Sequence, residues 1–199
     1  IAVASLASRL LGLFRDRVLA GEFGAGQILD GYYAAFLLPD FVFNLIIIGA
    51  LSAAFIPVFS DLLFKDRKRA WRMVNNFLNI MLVALVILLI IILIFAPQFL
   101  RAVTPGFYGE QMELAVLLTR IMLLSPLFFA ISSVIGGVLN SFGKFFAYSI
   151  APILYNIGII IGALYLVPIM GPAGLAWGVV LGACAHMLVQ IPTFFRVGF

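Results

Sequence analysis

The run from Phe77 to Pro97 carries no charge and a single polar side chain, Asn79. A helix of about 20 apolar residues spans the hydrocarbon core of a bilayer. In lipid, every backbone donor and acceptor must find its partner inside the protein. Several runs in the chain are this long. Of 199 residues, 65% are hydrophobic and only 10% are charged, and the mean hydropathy is +1.23. A soluble domain carries roughly 25% charged residues. The chain therefore reads as a polytopic, all-α integral membrane protein. A transmembrane β-barrel would show alternating segments of about ten residues, and none is seen.

Six spans are expected, over roughly 1–20, 31–62, 75–98, 113–138, 147–168 and 173–195, forming a single six-helix bundle over 1–199. The loops between them are short and none is of low complexity. The segment KDRKRAWR (65–72) holds five basic residues, Lys144 follows span four and Arg196 follows span six, against Arg101 on the opposite side. The excess of lysine and arginine marks the cytoplasmic face, so both ends of the segment are expected there. Glu22, Asp30, Glu110 and Glu113 fall near the outer face. The net charge of +4 is thereby explained by topology, without nucleic acid as a partner. The chain starts at Ile1 with no methionine and no secretory signal, which suggests a trimmed N-terminus.

Span two is too long for one straight crossing and contains Pro39 and Pro57. Each proline removes a backbone donor and favours a kink, either as ordinary membrane-helix irregularity or as a bend lining a cavity. Gly174, Gly178 and Gly182 recur every four residues, and Gly158 and Gly162 repeat the pattern, as expected where helix backbones pack closely.

The charges of SRLLGLFRDR (8–17) stand out against this background. Each charge at a helix centre costs about 2.5–3.5 kcal/mol on insertion scales, so these side chains do not face lipid. Arg9 and Asp16 are seven apart and share a helix face with Gly12 between them, and Arg15 points about a third of a turn away. Two readings stand. Arg9 pairs with an acidic residue while the others reach toward an interface, or the arginines line a polar cavity and meet an anion, which the planar guanidinium binds in bidentate fashion. Asp30 precedes span two and reads as a helix N-cap. Asp40, inside span two after Pro39, is a candidate buried carboxylate. Asn44, Asn76, Asn79, Asn140 and Asn156 suit interhelical hydrogen bonds. His186 and the lone Cys184 read as packing residues. No catalytic, metal-binding or cofactor-binding constellation is present, so an enzyme is not expected.

Several stretches, taken in order, resemble the MurJ (MviN) family, lipid II flippases of the multidrug/oligosaccharidyl-lipid/polysaccharide exporter superfamily. They are SRLLGLFRD (8–16), FGAGQILDGYYAAFLLPD (23–40), GALSAAFIPVF (49–59), GGVLNSFGKF (136–145), APILYNIGI (151–159) and LAWGVVLGACAHMLVQIP (175–192). The resemblance covers almost the whole chain. It implies an inner-membrane transporter for cell-wall and peptidoglycan biogenesis, acting on a lipid-linked pyrophosphate by alternating access. It also implies one six-helix lobe of a two-lobed exporter, the second lobe being a partner that this chain lacks. Arg9 and Arg15 match the family's two arginines of the first helix, Asp30 matches the aspartate opening helix two, and Gly12, Asp16 and Pro39 also match. Asp40, Phe43, Asn44 and Ile48 depart from the family's usual asparagine, arginines and glutamate. The departures leave two alternatives, an exporter of another lipid-linked oligosaccharide and a non-transporting scaffold for cell-wall synthesis proteins.

Overall fold

A computed structural model describes residues 2–46 and 55–199. Helix α1 (Ala2–Phe23) is followed by α2 (Gln27–Ala35) and α3 (Leu37–Ile46), then by α4 (Ile56–Lys65) and the long α5 (Arg67–Val103). The chain continues through α6 (Gly109–Met122), α7 (Ser125–Ser141) and α8 (Phe145–Ile161). A π-helical turn over Gly162–Leu166, α9 (Val167–Met170), α10 (Ala173–Leu188) and α11 (Ile191–Arg196) complete it. The six expected spans map onto α1, α2–α4, α5, α6–α7, α8–α9 and α10–α11. Among the described residues, four continuous runs are long and apolar enough to cross a membrane: Arg67–Val103, Gly109–Ser141, Phe145–Met170 and Ala173–Arg196. Helix α1 has the length, but the charges at its middle set it apart.

Span two is divided. Pro39 has no N–H for the carbonyl of Ala35 and its ring crowds that carbonyl. The helix accordingly breaks at Phe36, whose N–H turns back to the Tyr33 carbonyl at 3.2 Å. Pro57 stands in the first turn of α4, which directly follows the helical Phe55. Ile48 and the whole GALSA stretch (49–53) lie outside the described residues. Asp30 is not the cap of α2. Gly26 holds that position, and Asp30 stands exposed in the first turn, where its charge suits the helix dipole.

Helix α5 is capped by Asp66, whose side chain accepts from the Arg69 amide at 3.1 Å. Its 37 residues make a rod roughly 55 Å long, against a hydrocarbon core of about 30 Å. Met81, Leu85, Leu89, Ile92, Ala96 and Leu100 form its buried stripe, while Ile80, Val83, Ile87, Ile90 and Ile94 lie exposed on the side suited to lipid. At its first end, Trp71 stacks on Phe142 and meets Phe194 and Phe199 edge-on. Arg67 lies 5.7 Å over the Phe142 ring and donates to the Val197 carbonyl. The segments carrying Lys65–Arg72, Lys144 and Arg196 thus gather at one end of the bundle, and Arg101 sits at the far end of α5.

Helices α8 and α10 touch backbone to backbone. A Cβ built on Gly162 would lie 2.5 Å from Gly178 Cα, and one on Gly178 would lie 2.6 Å from Gly162 Cα. Gly158 meets the Gly182 backbone, and Gly174 meets Leu166 and Val167. The π-helical turn beside this seam precedes Pro168, and its wider winding accommodates the proline's missing donor. Helix α1 packs chiefly along α8, with Leu19 as its only fully buried residue.

Candidate functional site

A groove opens between α1 and α8 on one side and α3 and α7 on the other, with His186 of α10 at its base. Three connected chambers make it up. The largest, about 660 Å³, is lined by Arg15, Asp16, Tyr32, Asp40, Asn44 and Tyr155 among others. A narrow waist of about 240 Å³ between Phe36, Phe43, Phe129 and His186 follows. The third, about 420 Å³, contains Arg9.

The polar centre of the first chamber is Arg15. Its Nε and Nη2 donate to one carboxylate oxygen of Asp16 at 2.9 and 2.7 Å, and Nη1 donates to Asn156 Oδ1 at 3.0 Å. Asn156 is buried and fixed in turn, donating through Nδ2 to the carbonyls of Pro152 at 3.0 Å and Ser8 at 3.5 Å. The amide thus ties α8 to α1 while it orients the guanidinium. Asn156 lies eleven residues beyond Phe145, where α8 begins at the basic end, so the contact falls about 17 Å along the helix, near the middle of a bilayer. A cation and an anion at this depth are tolerated only in a polar cavity.

Arg9 behaves differently. It is exposed in the third chamber and makes no ion pair among the described residues. The acidic partner expected for Arg9 is absent there, and Asp16 is taken by its chain neighbour Arg15. Gly12 faces Asn156 at an ordinary contact distance, 3.9 Å from a built Cβ. Asp40 is exposed rather than buried and borders both the first chamber and the waist, without an ion pair among the described residues. Pro39 borders the waist, whereas Asp30 lines none of the three chambers. Phe43 and Asn44 point into the groove, Phe43 packing on Phe129 with ring centres 5.2 Å apart.

Sequence reasoning missed Tyr32 and Tyr155 as groove walls and Ser132 and Gln190 as polar members, and it read His186 as packing. Ser132 Oγ lies 2.7 Å from His186 Nδ1 and accepts from Gln190 Nε2 at 2.5 Å. One signal was available. Ser8 and Arg15 are seven apart on α1, as are Ser149 and Asn156 on α8, and two helices with polar residues at the same spacing can meet along one stripe.

A sequence model described as lipid II flippase MurJ matches residues 19–199. The lipid II flippase MurJ of Burkholderia cenocepacia is 32% identical over 97% of this chain and 38% of its own length. The probable lipid II flippase MurJ of Rickettsia prowazekii is 31% identical over 81% of this chain and 32% of its own. A solved structure, lipid II flippase MurJ in an inward closed conformation, superposes with a TM-score of 0.83 at 28% identity, covering 98% of this chain and 41% of that one. The chain spans roughly a third to two-fifths of the length of these relatives. With its membrane-length helices, it is a multi-pass protein of the bacterial inner membrane with the helical fold of these exporters. The chain belongs to the MurJ lipid II flippase family.

Proposed function

We propose that the full-length protein carrying this chain moves lipid II, an undecaprenyl-pyrophosphate-linked peptidoglycan precursor, from the inner to the outer leaflet. It acts as a transporter without chemistry on its substrate. The observation that carries this reading is the groove itself: a mid-membrane arginine held in fixed orientation, with Arg9, which has no ion pair among the described residues, in the third chamber. Guanidinium groups inside a protected cavity are matched to a pyrophosphate, whose oxygens accept paired donors. The polyprenyl tail remains in lipid. Asp16 supports the site by orienting Arg15, and Asp40 borders it as a counter-charge. Asp30 stands apart from the groove and is a substrate contact only at its outer entrance.

A second lobe completes the cavity and rocks against this one to open it to each side in turn. The partial coverage of the relatives supports that division. The gathered basic segments support a cytoplasmic location for the end near Lys65–Arg72. In a Cys184→Ser background, Gly106→Cys is expected to react with an impermeant maleimide added outside intact spheroplasts. Lys68→Cys is expected to react only after permeabilisation, and the reverse pattern refutes the orientation.

The central test is complementation in cells depleted of their own flippase, using the full-length gene. Wild type is expected to restore growth and Arg9→Ala to fail at equal membrane level. Failure of a well-expressed wild type redirects the assignment to the second reading, export of another lipid-linked oligosaccharide. That reading is favoured by Phe43 and Asn44, which put an aromatic ring and an amide on the groove wall. Growth with Arg9→Ala would make Arg9 structural and overturn its assignment to the substrate site, while a scaffold for cell-wall synthesis proteins would leave the depleted cells unrescued even by a well-expressed wild type.

A further inference from the structure

We propose that the chamber around Arg9 is a sugar-binding subsite, which receives the pyranose ring joined to the substrate's diphosphate. The proposal rests on the reading of the groove as a site for a lipid-linked diphosphate. The chamber measures about 420 Å³, within the range of roughly 300–1,000 Å³ usual for small-ligand sites. Five serines line it: Ser5, Ser8, Ser132, Ser133 and Ser149. A serine hydroxyl carries one donor and two acceptor positions, the same alternation that a sugar ring presents; Ser149 spends its proton on the Phe145 carbonyl at 2.8 Å and keeps its acceptor positions. Arg9 is the sole charged lining residue among those described, so the chamber suits a neutral, hydroxyl-rich group next to an anion. Phe129 and Tyr148 add flat aromatic faces for the ring's C–H surface.

One wall of the chamber is fixed in advance. Gln190, fully buried, donates through Nε2 to Ser132 Oγ at 2.5 Å and to the His186 carbonyl at 3.1 Å. An amide nitrogen can only donate, so Ser132 accepts there, and its hydroxyl also pairs with His186 Nδ1 at 2.7 Å. His186 borders both this chamber and the waist. Gln190 Oε1 is buried without a partner among the described residues. Packing alone gives no return for such a chain of polar groups between α7 and α10, because a hydrophobic trio would avoid the unsatisfied acceptor. A ligand that needs an oriented hydroxyl does. The placement also fits the substrate's connectivity. Arg9 precedes Arg15 by six residues, about 9 Å along α1, toward the basic end. A diphosphate held between the two arginines puts its attached ring beside the serines.

The test compares binding of two lipids to the full-length protein in nanodiscs: undecaprenyl diphosphate without a sugar, and lipid II. Wild type is expected to bind the sugar-bearing lipid at least about tenfold more tightly, as two or more added hydrogen bonds provide. Ser133→Leu and Ser149→Leu, which fill the chamber, are expected to erase that preference and leave the affinity for the sugar-free lipid within about twofold. The double variant S133A/S149A adds no bulk and folds without a clash. It is expected to cut the preference by at least about threefold. Variants that keep the full preference, or a wild type that binds both lipids equally, overturn the subsite while leaving the diphosphate reading intact. A wild type that binds neither lipid refutes both.

Discussion

Arg15→Lys in the full-length protein is expected to fail in complementation almost as completely as Arg15→Ala, although the charge is kept. The guanidinium uses three nitrogens at once, two on Asp16 and one on Asn156. That planar arrangement sets the direction in which its remaining donors face the groove. A lysine ammonium is a point charge on a flexible stem and cannot hold both partners while presenting paired donors to a phosphate. Hydrogen bonds to charged groups contribute about 1.5–3 kcal/mol each. Losing one to two of them costs on the order of 2–3 kcal/mol, or roughly 30- to 150-fold in affinity for the anionic lipid. Binding measured beside growth, at matched membrane levels, checks this. Full growth with Arg15→Lys would show that charge alone, without geometry, is what the groove requires.

Gly178→Val is expected to abolish accumulation of folded protein. Inserting methyl groups into a packed interior ordinarily costs about 1–3 kcal/mol, because neighbouring side chains shift to make room. Here the neighbour is backbone: a Cβ at Gly178 would sit 2.6 Å from Gly162 Cα and 3.0 Å from the Gly158 carbonyl oxygen. No rotamer change relieves that contact, so the helices must separate along the whole seam, at a cost of about 3 kcal/mol or more. Gly106→Ala is the matched control, since nothing lies within 4 Å of a Cβ built there. Size-exclusion profiles and melting temperatures in detergent are expected to show loss of the monodisperse peak for Gly178→Val and no change for Gly106→Ala. An intact peak for Gly178→Val would mean that the seam is softer than its geometry.

The sequence made some of this legible through energetics. Charges at the centre of α1 cannot face lipid, and that argument alone leads to a polar groove. Small residues at four-residue spacing point to close helix contact for the same reason, since only their size permits it. Other features depend on the neighbouring helix and carry no local signal. Helical geometry sets Asp16 and Arg15 on different faces, yet the long arginine folds back onto the adjacent carboxylate. Asn156 reads as one of several membrane asparagines until α8 is laid against α1. Asp30 occupies a capping context, but Gly26 already adopts the extended backbone that a cap needs. Ser132, His186 and Gln190 come from two separate helices, and only the packing of α7 on α10 joins them into a network.

The polar tie between α1 and α8 has a further consequence. Leu19 is the only fully buried side chain of α1, and Asn156 adds hydrogen bonds to the packing of α1 along α8. If an anion in the groove also drew on the Nη1 donor of Arg15, it would compete with Asn156 for it. Every ligand that wins this competition loosens α1, and by reciprocity every displacement of α1 frees a donor for the ligand. Occupancy and helix release are therefore two readings of one equilibrium. Under the proposed reading, Arg15 would be at once the contact for the anion and the clasp between α1 and α8.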